Sequence, residues 1–116
     1  MSNFLISGAN GFIGNSFYNT FKKKDLIYKI SLNKNSKNYI NIRTQQGYDY
    51  LKNFLKKKKI RYFINFGWAA TNDLKSEKHL SENFKNFKIL AKICDESKIE
   101  KFVSLGSIDE YNKKKL

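Results

Sequence analysis

Several residue types are missing or scarce in this 116-residue sequence, and each scarcity excludes a class of protein. There is no proline, a single cysteine (Cys94) and a single histidine (His79). One cysteine cannot form an intramolecular disulfide, and these two residues cannot supply a structural zinc site or a site built on several histidines. No apolar run approaches the ~20 residues of a membrane-spanning helix, and the N-terminus lacks the basic and apolar segments of a secretory signal peptide. These absences predict a cytoplasmic, reducing location without a membrane partner.

Acidic residues are also scarce, 10 against 23 basic residues, which gives a formal net charge of +13. Of the basic residues 21 are lysine, and only Arg43 and Arg61 are arginine. Proteins that read nucleic-acid sequence favour arginine, whose planar group makes paired hydrogen bonds that lysine cannot make. Lysine, asparagine, isoleucine, phenylalanine and tyrosine have A/T-rich codons, and proline does not. We therefore interpret the charge as compositional bias, which predicts no specific nucleic-acid partner and leaves non-specific binding of polyanions open. A basic nucleic-acid-binding domain is the least favoured of the functional classes considered.

Apolar residues, 41% of the chain, are numerous enough for one folded domain with a small core. Apolar runs typical of strands alternate with segments in which apolar residues recur every three or four positions, as in helices. The alternation predicts an α/β domain with three layers, a parallel sheet of about five strands and helices on both faces. The helix predicted over 77–97 places Cys94 on its apolar face, as a core residue. The predicted strands cover 4–7, 26–32, 39–42, 62–68 and 102–107. Of the other two predicted helices, one begins at 11 and ends near 24, and the other ends near 59.

A glycine-rich segment, GANGFIG at 8–14, lies between the first strand and the first helix. Gly8 allows a tight turn, Gly11 allows the backbone to approach a ligand closely, and Gly14 lets the helix pack against the sheet. Amide groups at the start of such a helix stabilise a pyrophosphate. No Gly-Lys-Ser/Thr follows, which excludes a Walker-type phosphate loop. The segment therefore predicts a dinucleotide site.

Three ordered motifs together resemble the NAD-dependent epimerase/dehydratase family, the extended short-chain dehydrogenases/reductases that act on nucleotide sugars. The first is GANGFIG, with the Gly-x-x-Gly-x-x-Gly spacing of that family. The second, INFGWAA (64–70), looks like its fourth-strand segment. The third, over 81–112, looks like its asparagine-led helix and the strand that ends in Ser-Ser and Val-Tyr-Gly. The resemblance implies that residues 1–116 are an NAD(P)-binding Rossmann domain, truncated before the C-terminal substrate-binding part.

The resemblance also implies a cofactor site at the strand ends. Asn33 stands where the family often has an acidic residue that binds the adenosine ribose, and Lys34 follows it. A carboxylate would repel a ribose 2'-phosphate and this pair would not, so both NAD and NADP are expected cofactors. The other implied cofactor contacts are Gly8, Gly11, Phe12, Ile13 and Gly14 at the pyrophosphate, Asn41 and Ile42 beside the adenine, Phe66, Gly67 and Trp68 along the cofactor, and Asn83 near the nicotinamide.

The catalytic residues that the resemblance implies are incomplete. Ser107 matches the serine that hydrogen-bonds the substrate, although Gly106 replaces the first serine of the usual pair. In the family, a Tyr-x-x-x-Lys pair transfers the proton. Tyr111 and Lys115 have that spacing, but Tyr111 matches the tyrosine of the Val-Tyr-Gly turn instead.

We therefore expect the cofactor-binding portion of a nucleotide-sugar epimerase, dehydratase or reductase, without turnover on its own. The alternative is a stand-alone dinucleotide-binding or interaction module. Either form would be completed by a second chain or by a homodimer.

Overall fold

Strands and helices alternate along the chain in the computed structural model, which describes residues 2–8, 12–66 and 77–104, without the side chains of 12 and 77–83. The order confirms the predicted α/β class. The elements are β1 (Asn3–Ser7), α1 (Phe12–Phe21), β2 (Leu26–Ile30), α2 (Gln45–Lys57), β3 (Tyr62–Asn65), α3 (Glu77–Glu96) and β4 (Lys101–Ser104).

The four strands of the described residues form one parallel sheet in the order β2-β1-β3-β4. The chain leaves β1 for β2 on one side and then crosses back over β1 to β3 on the other. The direction of winding therefore reverses between β1 and β3. In sheets of this kind ligands bind beyond the carboxyl ends of the strands at such a reversal.

The segment predicted as a third strand, 39–42, pairs with the sheet only through a single parallel bridge between Ser31 and Tyr39. Its backbone turns immediately afterwards, because the Asn41 side-chain oxygen accepts a hydrogen bond from the Arg43 amide at 3.1 Å. The Thr44 hydroxyl then accepts one from the Gly47 amide at 3.0 Å and caps α2. These two local turns end the extended conformation before a ladder of hydrogen bonds can form.

The main core lies between the sheet and the pair α2 and α3. Phe4 and Leu5 are neighbours on β1, so their side chains point to opposite faces of the sheet. Leu5 belongs to the main core, whereas the Phe4 ring packs 5.8 Å from that of Phe17 on α1. Helices therefore cover both faces, as predicted. The buried members of the main core are Leu5, Ile30, Ile42, Leu51, Leu55, Ile60, Phe63, Leu90, Ile93 and Cys94.

Lysines occupy the left-handed position after both long helices. Lys59, after α2, has φ 52°, and Lys98, after α3, has φ 56°. Glycine is the usual residue here, because a side chain strains this conformation. We expect Lys59→Gly to raise the free energy of unfolding by about 0.5–1 kcal/mol, measured by urea denaturation. Lys56→Gly, inside the last turn of α2, is the matched control and should lower it by about 0.5–1 kcal/mol. Changes of the same sign in both variants would contradict this interpretation.

Tyr48 of α2 is hydrogen-bonded to Glu96 of α3, with its hydroxyl 2.5 Å from a carboxylate oxygen. This bond, together with the charge of Lys52 at 3.5 Å, lowers the pKa of Glu96. Burial and the same bond raise the pKa of Tyr48 to about 12. The pair thus links the two helices that cover the main core.

The Tyr48–Glu96 pair predicts two limits of pH-dependent stability. Because the Glu96 pKa is lower in the folded protein, its stabilisation is present above the ordinary value of about 4.3 and is lost as the pH falls below it. Because the Tyr48 pKa is raised, its contribution is present below pH ~10 and is lost as the pH rises towards 12. Tyr48→Phe should weaken the dependence of the free energy of unfolding on pH in both ranges, as measured by urea denaturation at a series of pH values. Tyr50→Phe, on an exposed ring of the same helix, should leave this dependence unchanged, and an equal effect of both variants would contradict the assignment.

Candidate functional site

The candidate site lies at the carboxyl ends of β1 and β3, where the sheet reverses its winding. Gly8 follows β1 with φ 80°, a conformation that residues with a side chain rarely adopt. The Phe66 amide donates a 2.8 Å hydrogen bond to the Ser7 carbonyl, which holds the two strands together one residue beyond β3. A left-handed glycine therefore lies at the place where a ligand of this sheet would bind.

Helix α1 begins at Phe12, four residues after Gly8 along the chain. Gly14 is buried, and the first turn of the helix carries no acidic residue. Unpaired amide groups and the helix dipole make such an end favourable for an anion. Ile13 is 61% exposed, so its side chain contributes little to the core and lies at the surface of the site.

Three polar side chains link the strand ends beneath the turn. The buried Ser7 hydroxyl donates to the Asn65 side-chain oxygen at 2.5 Å, and the Asn65 amide group donates to the Ser104 hydroxyl at 3.1 Å. The register pairs the same residues across β1, β3 and β4. The sequence analysis did not assign any of them to the site. The available signal was a polar residue within or at the end of each of three apolar strand segments.

Asn33 and Lys34 lie in an exposed turn after β2, at the same edge of the sheet as Gly8. The Asn33 side-chain oxygen accepts a 3.1 Å hydrogen bond from the Asn35 amide, and the Asn33 amide donates to the Ser31 hydroxyl at 3.0 Å. Asn33 therefore shapes its own turn. The Lys34 side chain is exposed, in a position where it can meet an anionic ligand.

Asn41 and Ile42 build the entry to α2. The Asn41 carbonyl accepts a 2.9 Å hydrogen bond from the Thr44 hydroxyl, in addition to the bond between its side chain and the Arg43 amide. Ile42 is 3% exposed and belongs to the main core. The structure thus gives both residues a local folding role, and their proposed place beside an adenine remains a prediction.

Of the predicted site residues, Gly8 and Phe66 directly follow β1 and β3, and Ile13 and Gly14 lie in the first turn of α1. The remaining predicted residues Gly11, Gly67, Trp68 and Ser107 lie outside the described residues, as do Tyr111 and Lys115. Phe12 is the first residue of α1 and Asn83 lies in α3, and for both only the backbone position is described.

Cys94 is confirmed as a core residue. It is 4% exposed, and burial raises the pKa of its thiol to about 12. A thiol that stays protonated at neutral pH is a poor nucleophile. Within the described residues, no group of three histidine, cysteine, aspartate or glutamate side chains is placed to hold a metal ion.

A model of the NAD dependent epimerase/dehydratase family matches residues 4–116. The chain belongs to this family. The family description implies a nicotinamide dinucleotide cofactor. The left-handed Gly8 and the uncharged first turn of α1 fit the pyrophosphate of such a group, since they leave space and positive potential at the reversal of the sheet.

Solved structures of sugar-nucleotide enzymes share the fold. The ADP-L-glycero-D-manno-heptose-6-epimerase of Helicobacter pylori is similar with a TM-score of 0.67 and 17% identity, over 92% of this chain and 39% of that one. A GDP-L-fucose synthetase from Naegleria fowleri has a TM-score of 0.65 and 17% identity, over 89% and 30%. The UDP-glucose 4-epimerase of Thermotoga maritima has a TM-score of 0.63 and 13% identity, over 88% and 37%. The chain therefore spans 30–39% of the length of these structures.

No curated protein sequence matches the chain. The helices of the described residues include none that is long and apolar enough to cross a membrane.

Proposed function

We propose that the chain is the NAD(P)-binding portion of a nucleotide-sugar epimerase, dehydratase or reductase. The observation that carries the proposal is the left-handed Gly8 at the β1/β3 reversal, leading into α1, in a chain that the family model matches over 4–116. The names of the three similar enzymes support the substrate class, because each is named for a nucleotide sugar that it acts on or makes.

In this proposal the glycine turn and the amide groups at the start of α1 bind the pyrophosphate. Asn33 and Lys34 bind the adenosine ribose, and Phe66 lies along the cofactor. When bound, the nicotinamide accepts and returns a hydride. Ser107 hydrogen-bonds the substrate hydroxyl or carbonyl.

The proposal includes no turnover by these 116 residues alone. The tyrosine–lysine pair that would move the proton does not lie at the matching place in the chain. Purified protein incubated with NAD and UDP-glucose should therefore leave the nucleotide sugar unchanged when the mixture is separated by chromatography. Appearance of an epimerised or dehydrated nucleotide sugar would contradict this part of the proposal.

Fluorescence titration with NADH and NADPH tests the site, with two substitutions at Gly8. Gly8→Ala strains the left-handed backbone and should lower stability by about 1–2 kcal/mol. Gly8→Asn keeps that backbone conformation accessible but places a side chain where the pyrophosphate approaches. We expect both variants to bind cofactor at least tenfold more weakly and only Gly8→Ala to lose stability. Folded wild-type protein that binds neither cofactor would overturn the assignment.

Lys34→Asp tests the choice between NAD and NADP. A carboxylate at this place should repel a ribose 2'-phosphate and shift preference several-fold towards NADH. Lys37→Asp makes the same charge change three residues further on and should shift the preference much less. An equal shift in both variants would mean that the general charge of the surface sets the preference.

A further inference from the structure

An aromatic groove runs along the outer side of β2, between that strand, the segment 37–41 and α2. Its volume is about 580 Å³. Four rings line it: Tyr28, Tyr39, Tyr50 and Phe54. β2 is the edge strand of the described sheet, with β1 as its neighbour. Asn41, which the family resemblance places beside the adenine, also lines the groove.

The rings pack partly against one another and are partly exposed. Tyr28 meets Phe54 edge-on at 5.4 Å, and Tyr50 lies roughly parallel to Phe54 at 6.4 Å. Tyr50 is 57% exposed and Tyr39 is 37% exposed. Two large aromatic side chains thus present much of their surface to solvent at one groove, although burial would stabilise them more.

Two lysines place positive charge at the groove. Lys37 lines it, and the ammonium of Lys58, which is not itself a lining residue, lies 5.7 Å from the centre of the Tyr28 ring. Lys29 also lines the groove, but its ammonium group lies over the Tyr18 ring, 4.2 Å from the ring centre. None of the lining residues is aspartate or glutamate. The chemistry that complements this groove is flat, aromatic and anionic.

An added β-strand fits the groove poorly. The Ser31 amide donates to the Asn38 carbonyl at 2.9 Å, and the Ile40 amide donates to the Ser31 carbonyl at 2.9 Å. The chain's own segment therefore already occupies the sheet edge just beyond β2, and a strand from another chain would have to displace it.

We propose that this groove binds single-stranded nucleic acid without sequence preference. Bases stack on Tyr50 and Tyr39, and Lys37 and Lys58 contact the phosphates on either side. Stacking needs no arginine and tolerates any base, because every base has a π-face. The proposed contacts do not include Asn41, and this binding does not depend on the proposed function.

Fluorescence anisotropy with a labelled oligothymidylate of about 12 nucleotides tests the proposal on the full chain. Tyr50→Ala should weaken binding by about fivefold to a hundredfold, and Tyr50→Phe, which keeps the ring, should restore it. Phe21→Ala removes a 40% exposed ring from α1, outside the groove, and should leave binding unchanged. Circular dichroism of each variant checks that the fold is retained.

A matched pair of variants separates the contribution of Lys37 to binding from the effect of net charge. Lys37→Gln should lower the slope of log affinity against log salt by about 0.7, the value for one phosphate of a single strand. Lys88→Gln removes an equal charge from the exposed side of α3 and should leave the slope unchanged.

Three results would overturn the proposal. The first is no binding of the oligonucleotide by folded protein. The second is equal weakening in the groove and control variants, or equally tight binding of a duplex, which would indicate general charge attraction. The third is displacement of the oligonucleotide by NADH together with loss of NADH binding in Tyr50→Ala, which would place the groove within the cofactor site. Failure of NADH binding with intact oligonucleotide binding would count against the proposed function alone.

Discussion

Replacing Phe63 with alanine is expected to lower the free energy of unfolding by about 3–5 kcal/mol. Phe63 is fully buried on β3, pairs in register with Leu5 on one side and Phe102 on the other, and packs its ring 5.3 Å from that of Phe102. The substitution removes the largest fully buried side chain of the described residues and leaves a cavity that strands cannot easily close. Since native proteins unfold at a total cost of roughly 5–15 kcal/mol, such a loss removes a large fraction of the stability.

Urea denaturation followed by circular dichroism measures this loss, with Phe21→Ala as the matched control. Phe21 is 40% exposed and touches Phe17 at 4.9 Å, so its removal should cost roughly 1 kcal/mol. If the Phe63 variant is no less stable than the Phe21 variant, the sheet face that includes Leu5 and Phe63 is not the main core.

Replacing Asn65 with aspartate is the second large effect, expected to cost roughly 3 kcal/mol or more at pH 7. Asn65 is 3% exposed, accepts a hydrogen bond from Ser7 and donates one to Ser104. The substitution keeps the volume but removes the donor and buries a negative charge. The Ser104 hydroxyl must then donate a hydrogen bond instead of accepting one, and the cost of desolvating the carboxylate is not recovered.

The pH dependence identifies the buried charge as the cause. Desolvation should raise the pKa of the introduced carboxyl above its value of about 3.9 in the unfolded chain. The cost is therefore present above the raised pKa and disappears as the pH falls below 3.9, so the variant should approach wild-type stability on acidification. Asn53→Asp, on the exposed side of α2, should show no such recovery. If the loss of stability in Asn65→Asp does not change with pH, its cause is packing and not the buried charge.

Local patterns were sufficient for most of the elements. Apolar spacing predicted a helix over 77–97, and α3 covers Glu77–Glu96. The segment 39–42 also had an apolar pattern suited to a strand, but side-chain hydrogen bonds from Asn41 and Thr44 bend it into α2. Competition between a short strand and two such turns depends on geometry that an apolar pattern does not contain.

One part of the candidate site was likewise predictable from the local sequence, and another part was not. The turn at Gly8 was predicted because glycine spacing between a strand and a helix reports the local backbone. The row of Ser7, Asn65 and Ser104 was not predicted, because its members are 58 and 39 residues apart and meet only through the register of three strands. Tyr28 and Tyr50 likewise come together only when α2 packs beside β2.

By itself the sequence determined the α/β class, the glycine turn and the family resemblance, all of which rest on residues near one another in the chain. Tertiary structure decided which strand ends are linked by hydrogen bonds, which aromatic rings remain exposed along β2, and that Ile42 is buried in the core. The physical reason is that periodicity and turn chemistry act over a few residues, whereas pairing register and burial depend on segments that only the crossovers bring together.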